Sequence, residues 1–252
     1  MLSDGGLGTA SDVAIGLTEI GGNPNLTFVY FIAFVLIGAL GVRFCVYALW
    51  NRRASDLPSQ ASIWASLALV GGAAAIYGIV GVLDIVVDGI PSVRTAVFLG
   101  FVLLLALTMR SIAREGSLDN ADADEGRGSG RAVVGVFVIA VVGVLVGEVL
   151  GLERRPIVVL AGVGAIVFAT YGYWYGRSQL SRSMVQGTML DTLLRHLLPV
   201  LAFGAAVPAI ELVILGGIDR TIVLHVQVVF VIMTATALMT ANIKLRQNLA
   251  RL

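Results

Sequence analysis

Apolar residues run along this chain in seven long stretches, each closed at both ends by polar, charged, glycine or proline residues. The stretches are Leu26–Trp50, Ser62–Val87, Val93–Ile112, Ala132–Leu152, Ile157–Tyr175, Thr192–Gly216 and Thr221–Ile243. About 20 apolar residues wound as a helix cross the hydrocarbon core of a bilayer. The pattern therefore predicts an all-α membrane protein, a bundle of seven transmembrane helices. Composition agrees, with 58% hydrophobic residues, 13% charged residues and a mean hydropathy of +0.93; soluble domains carry about 25% charged residues. The expected organisation is an N-terminal segment over residues 1–25 and a single seven-helix domain over 26–250. Seven spans leave no room for a soluble catalytic domain, and no enzymatic activity is expected.

Charge sets the orientation. With the N-terminus outside, the inner ends and loops hold thirteen basic residues, from Arg43, Arg52 and Arg53 to Lys244, Arg246 and Arg251. The outer ends hold four: Arg94, Arg154, Arg155 and Arg220. This positive-inside bias places the N-terminus outside and the C-terminus inside. The first 25 residues are Gly-rich and lack a basic region ahead of an apolar core, so no cleaved signal peptide is expected and the first helix acts as an anchor. The expected location is the cell membrane, as a multi-pass protein among lipids. The single cysteine, Cys45, has no internal disulfide partner and packs as a small apolar residue. An acidic, Gly-rich inner loop spans 115–130, and its Asp122, Asp124 and Glu125 lack the spacing of a calcium-binding loop. That loop, the single lysine against sixteen arginines and the abundance of Ala, Val and Gly give a halophilic, archaeal impression.

Ionisable groups inside membrane spans are costly and are functional candidates by default. Here they gather toward the outer half: Asp84 and Asp88 in the second helix, Arg94 at the start of the third, Glu148 in the fourth, Glu211 in the sixth, and His225 with Gln227 in the seventh. Asp84, Arg94, Glu211, His225 and Gln227 form the candidate outer polar cluster. One reading makes it an ion or proton site, or a polar vestibule over a ligand pocket. The other makes it a structural network in which Asp84 or Glu211 satisfies Arg94. The inner half has no matching carboxylate relay, and Thr108, Thr234, Thr236 and Thr240 suffice to bond helix carbonyls. His196 and His225 lie near opposite ends of their helices, too far apart for one haem iron. No Cys/His cluster suggests a metal, and no nucleic-acid partner is expected.

Several short motifs resemble the microbial (type 1) rhodopsins of haloarchaea. They are Ser55-Asp56-Leu57 through Ile76-Tyr77, Arg94 near the outer end of the third helix, and Arg155 through Tyr171 to Tyr175-Gly176 and Ser183-Met184. Leu194-Arg195-His196 followed by Val207-Pro208 completes the set. The resemblance implies a rhodopsin-like bundle with a chromophore pocket between its helices. At the positions where that family does its chemistry, this chain departs. Counted from Arg94, the counterion aspartate falls at Val97, a stacking tryptophan at Phe98 and the inner proton donor at Thr108. Counted from Pro208, the aromatic pocket walls fall at Gly204, Val207 and Glu211. In the last helix the second counterion falls at Thr234 or Ala235, and the retinal-binding lysine at Leu238 or Met239. Lys244 lies too far toward the inner end and reads as an interfacial anchor.

The resemblance thus implies a pocket lined by Tyr77, Phe98, Gly204, Val207, Pro208, Leu238 and Met239 but no covalent retinal. A buried protonated Schiff base needs a counterion, so losing lysine and carboxylates together is coherent. No cofactor is expected; a non-covalent carotenoid, retinoid or lipid is the alternative occupant. The functional expectation is a non-catalytic binding or signalling module, working with a membrane-protein partner or as a homo-oligomer. An ion or proton transporter or channel using the outer cluster is the alternative. The small residues around Gly71, Gly143, Gly162 and Gly204 permit close helix packing or leave an apolar cavity.

Overall fold

The computed structural model describes residues 18–55, 61–88, 91–115, 127–180 and 189–250. Asp122, Asp124 and Glu125 of the acidic segment lie outside the described residues, as do Asp56, Leu57, Ser183 and Met184. Seven helices account for the architecture: α1 (Pro24–Ala54), α2 (Ala61–Val86), α3 (Arg94–Glu115), α4 (Arg127–Val149), α5 (Arg154–Leu180), α6 (Met189–Ala209) and α7 (Arg220–Leu249). All seven contain a span long and apolar enough to cross a membrane. Each coincides with one stretch of the sequence pattern. The helices overrun several predicted ends, and α4 begins at Arg127, so residues 127–130 of the expected loop are helical.

Local chemistry explains where the helices start and stop. Pro24 occupies the first turn of α1, where a missing N–H leaves no bond unmade, and Asn23 Oδ1 accepts from Leu26 N–H at 3.1 Å. Asp219 caps α7, accepting from Thr221 N–H at 2.7 Å. That bond holds the exposed Asp219 carboxyl below its ordinary value. Because the folded value is the depressed one, the charged cap's contribution is complete above the ordinary aspartate range and is lost as pH falls through the folded value. Two prolines, Pro199 and Pro208, lie inside α6. Just past Pro208 the chain tightens into a 3₁₀ segment, Ile210–Gly216, which Gly217 ends at φ +87°. Proline removes a backbone donor and disturbs the α-ladder around it.

The helices alternate up and down. α1 packs on α2 and α7, α3 touches α2, α4, α5 and α6, and α6 packs on α5 and α7. α3 is the most buried span and α4 the least. One end of the bundle gathers the starts of α1, α3, α5 and α7; it is called the Arg94 end below, and the opposite one the Asn51 end. Large apolar side chains such as Phe28, Ile79, Ile139 and Trp174 point outward, as they do when the solvent is lipid.

Glycines set the closest contact, between α1 and α2. A Cβ on Gly71 would stand 2.5 Å from Cys45 N, one on Gly41 2.5 Å from Ala75 N, and one on Gly78 2.5 Å from Gly38 Cα. These obstacles are backbone atoms, which cannot swing aside. Apolar attraction between helices is weak in lipid, so close approach of this kind supplies much of the association. Gly72, one residue on, has nothing within 4 Å of its Cβ position. Gly71→Val should therefore cost about 1–3 kcal/mol or more through overpacking, whereas Gly72→Ala should be neutral or gain up to about 1 kcal/mol of helix propensity. Thermal unfolding of the two variants in detergent checks the contrast; equal midpoints would mean that α1 and α2 are not in backbone contact.

Candidate functional site

The buried polar groups at the Arg94 end are held by five helices. Glu211, 6% exposed, sits in the 3₁₀ segment after α6 and faces inward. Its Oε1 accepts from Gln227 Nε2 of α7 at 2.8 Å, and its Oε2 lies 3.8 Å from Arg154 Nη2 of α5. The same Gln227 nitrogen donates to Val207 O at 3.2 Å, and the Gln227 oxygen accepts from the Tyr30 hydroxyl of α1 at 3.0 Å. Tyr30 Oη also stands 2.8 Å from Leu224 O. Gln227 is thus engaged through both its nitrogen and its oxygen, and its neighbours fix which way the amide points.

Arg94 of α3 is arranged differently from the sequence expectation. Among the described residues no ion pair joins it to Asp84 or Glu211. Its guanidinium lies over the Phe34 ring at 5.5 Å and the Tyr30 ring at 5.9 Å, a cation–π arrangement, and Asp84 and Glu211 act on it through space. Asp84 instead accepts from Ser92 Oγ at 2.7 Å. Glu148 of α4 accepts from Thr95 N–H at 3.2 Å and Ala96 N–H at 3.0 Å. A carboxylate there satisfies free amides and the positive end of the α3 dipole.

Of the five expected cluster residues, Arg94, Glu211 and Gln227 share one small cavity, with Tyr77, Thr95, Phe98, Val207 and Pro208 as its other walls. Its volume is about 10 Å³, room for one water at most. Asp84 lies beside this group rather than in its wall. His225 does not join it: the ring is exposed on α7, with Nδ1 2.7 Å from Thr221 O of its own helix. On a helix, residue 225 faces away from Gln227.

The expected pocket lining is mostly buried, and its Tyr77, Phe98, Val207 and Pro208 wall only the small cavity just described. Rings run in series from Tyr30 to Phe34 at 5.6 Å, to Tyr77 at 5.5 Å, to Phe98 at 4.3 Å and to Phe101 at 5.6 Å. Gly204 is closed in as well. A methyl placed there would already touch Phe101 Cε1 at 3.5 Å, Val102 Cγ2 at 3.7 Å and Thr234 Cγ2 at 3.9 Å. Leu238 is fully buried, whereas Met239 is 51% exposed on the outside of α7 and lines nothing internal. Thr108, Thr234 and Thr236 bond carbonyls one turn back on their own helices, and Thr240 bonds Ala237 O. Lys244 Nζ turns to Gln247 Oε1 at 3.3 Å.

Sequence reasoning missed the partners. Tyr30 was absorbed into an apolar run, and Arg154 was read only as an end charge. At the Asn51 end a set of amides also went unread. Asn51 Nδ2 donates to Tyr47 O and Leu245 O, Asn248 Nδ2 to Asn51 Oδ1 at 2.7 Å, and Asn242 Nδ2 to Leu40 O and Leu238 O. The available signal was depth: Asn51 in the first helix and Asn248 in the last fall at the same level of an up-down bundle. Among the described residues no group of three or more His, Cys, Asp or Glu side chains could hold a metal. Searches against protein-family models, curated proteins and solved structures find no match to this chain.

Replacing Gln227 with Leu roughly keeps the volume and strands Glu211 Oε1 and Val207 O, while the Tyr30 hydroxyl keeps Leu224 O. Each buried group left without its partner costs about 1–3 kcal/mol. Q227L should therefore unfold at a clearly lower temperature in detergent than the parent; an unchanged midpoint would mean that water already serves these groups.

Proposed function

We propose that this chain is a rhodopsin-like seven-helix module that has given up chromophore chemistry, does no catalysis, and works by binding or signalling through its exterior to a partner in the membrane. The observation that carries this reading is the filled interior beside α7. Where the resemblance would put a lysine stands the fully buried Leu238 or the outward-facing Met239. Where it would put aromatic walls around a polyene, Phe98 packs at a tilt between Tyr77 and Phe101, and Gly204 is in contact distance of α3 and α7. The same packing speaks against a non-covalent carotenoid or retinoid between the helices. The resemblance and the basic-residue bias favour an orientation with the Arg94 end outside, in the cell membrane.

A second reading, ion or proton translocation, draws on the buried Glu211 and the small cavity beside it. Against it stand Val231, Thr234, Ala235 and Leu238, all fully buried between Gln227 and Asn242 on α7. The one hydroxyl among them is committed to Phe230 O at 2.7 Å, so among the described residues no polar relay runs along this stretch of α7. Light- or gradient-driven pH changes in vesicles carrying the protein should equal those of empty vesicles, and a Glu211-dependent flux would favour the second reading.

Two measurements test the first. All-trans retinal added to the purified protein, followed by borohydride, should give no retinyl adduct and no red-shifted band; an adduct on Lys244 would sink the proposal. Gly204→Trp should lose about 1–3 kcal/mol, because the ring has no space to enter, while Gly204→Ala should be tolerated. A fully stable Gly204→Trp protein would instead argue for a real ligand chamber.

A further inference from the structure

At the Arg94 end, on the outside of the bundle, an open groove of about 560 Å³ lies between the start of α5, the 3₁₀ segment after α6 and the start of α7. Its walls are Arg154, Arg155, Val158, Ile214, Leu215, Gly217 and Arg220. The volume falls within the range of small-molecule sites. Three of its seven lining residues are arginines, and the others offer apolar side chains and a glycine.

The positive charge is poorly compensated. Arg154 has Glu211 at 3.8 Å, but Glu211 is also committed to Gln227. Asp219 is adjacent in sequence to Arg220, yet its carboxylate is turned to Thr221 N–H. Among the described residues Arg155 and Arg220 form no ion pair; Arg220 is repelled by Arg154 and Arg94 and attracted, through space only, by Glu211. Three exposed arginines lining one groove make it a positive surface that attracts an anion. The start of α5 adds the positive end of one helix dipole, whereas that of α7 is already met by the Asp219 carboxylate.

We propose that this groove binds the phosphate headgroup of an anionic lipid, with Arg155 and Arg220 as the principal ligands and Arg154 as a third. Arginine's planar fork suits phosphate oxygens. Val158, Ile214 and Leu215 supply an apolar wall along which the first carbons of an acyl chain can lie, which a free phosphate ion would not use. This proposal is independent of whether the chain is rhodopsin-like.

The test uses the full-length protein in a neutral detergent. Dioctanoyl phosphatidic acid, dioctanoyl phosphatidylcholine and inorganic phosphate are titrated separately, with bound lipid read by native mass spectrometry and stability by the thermal midpoint. Phosphatidic acid should remain bound and raise the midpoint, phosphatidylcholine should do neither, and inorganic phosphate should act only at far higher concentration. Arg155→Gln with Arg220→Gln should weaken phosphatidic acid binding at least about tenfold, one charge-assisted contact's worth of affinity, while leaving the lipid-free midpoint near the parent's. Arg154 is spared because it also partners Glu211. Inorganic phosphate binding as tightly as the lipid would keep the anion site and overturn the lipid assignment. Equal binding of phosphatidylcholine, or full retention by the double variant, would overturn the site itself. Should the double variant fail to fold, Arg155→Glu alone, which reverses one exposed charge, must still lower the affinity.

Discussion

The amide of Gln227 is the junction on which the Arg94 end depends. It touches α6 through Val207 O and Glu211, and α1 through Tyr30. In a hydrocarbon solvent an unsatisfied polar group has no water to fall back on, so one side chain that satisfies three others fixes the rotation of three helices at once. Glu211 extends the set to α5 through Arg154, and Tyr30 extends it to α3 as a face for Arg94. A single well-placed amide thus ties these helices together and at the same time gives the buried Glu211 carboxylate a donor.

Below this junction the bundle relies on shape. α1 and α2 approach until glycines meet backbone, and the ring series from Tyr30 to Phe101 fills the space that α1, α2 and α3 enclose. Small residues and large rings are complementary here. Gly81 lies against the Phe34 ring, so the ring can sit between α1 and α2 without pushing them apart. α4 takes little part and faces lipid over most of its length.

Much of this was legible in the sequence. Runs of apolar residues located all seven helices, because span length is dictated by the bilayer rather than by tertiary contacts, though the last α-helical residue of α6 is Ala209 rather than Gly216 and that of α7 is Leu249 rather than Ile243. The buried carboxylate Glu211 and its neighbour Gln227 were found by depth alone. Rotation about the helix axis was harder to read. His225 and Gln227 are two residues apart, some 200° around a helix, and only packing decides which of them faces inward; Met239 was misplaced for the same reason. Arg94 was assigned a carboxylate because charge pairing is the commonest solution, and the stacked rings beneath it have no signature in a linear sequence. The amides Asn51, Asn242 and Asn248 were hidden because their partners are about two hundred residues away.

Those amides and the Tyr30–Gln227 contact lie at opposite ends of the same helix pair, the first and the last to be made. α1 and α7 are thereby clasped top and bottom, and the ring of helices is closed by the final segment of the chain. During synthesis α1 enters the membrane long before its clasp exists. Until α7 arrives, Asn51 lacks Leu245 O and Asn248, and Tyr30 lacks Leu224 O and Gln227. Closure of the bundle is therefore a late event on the ribosome's timescale. A chain cut short before α7 would carry its own marker of incompleteness, exposed polar groups in the membrane, where the cell's quality control can recognise them.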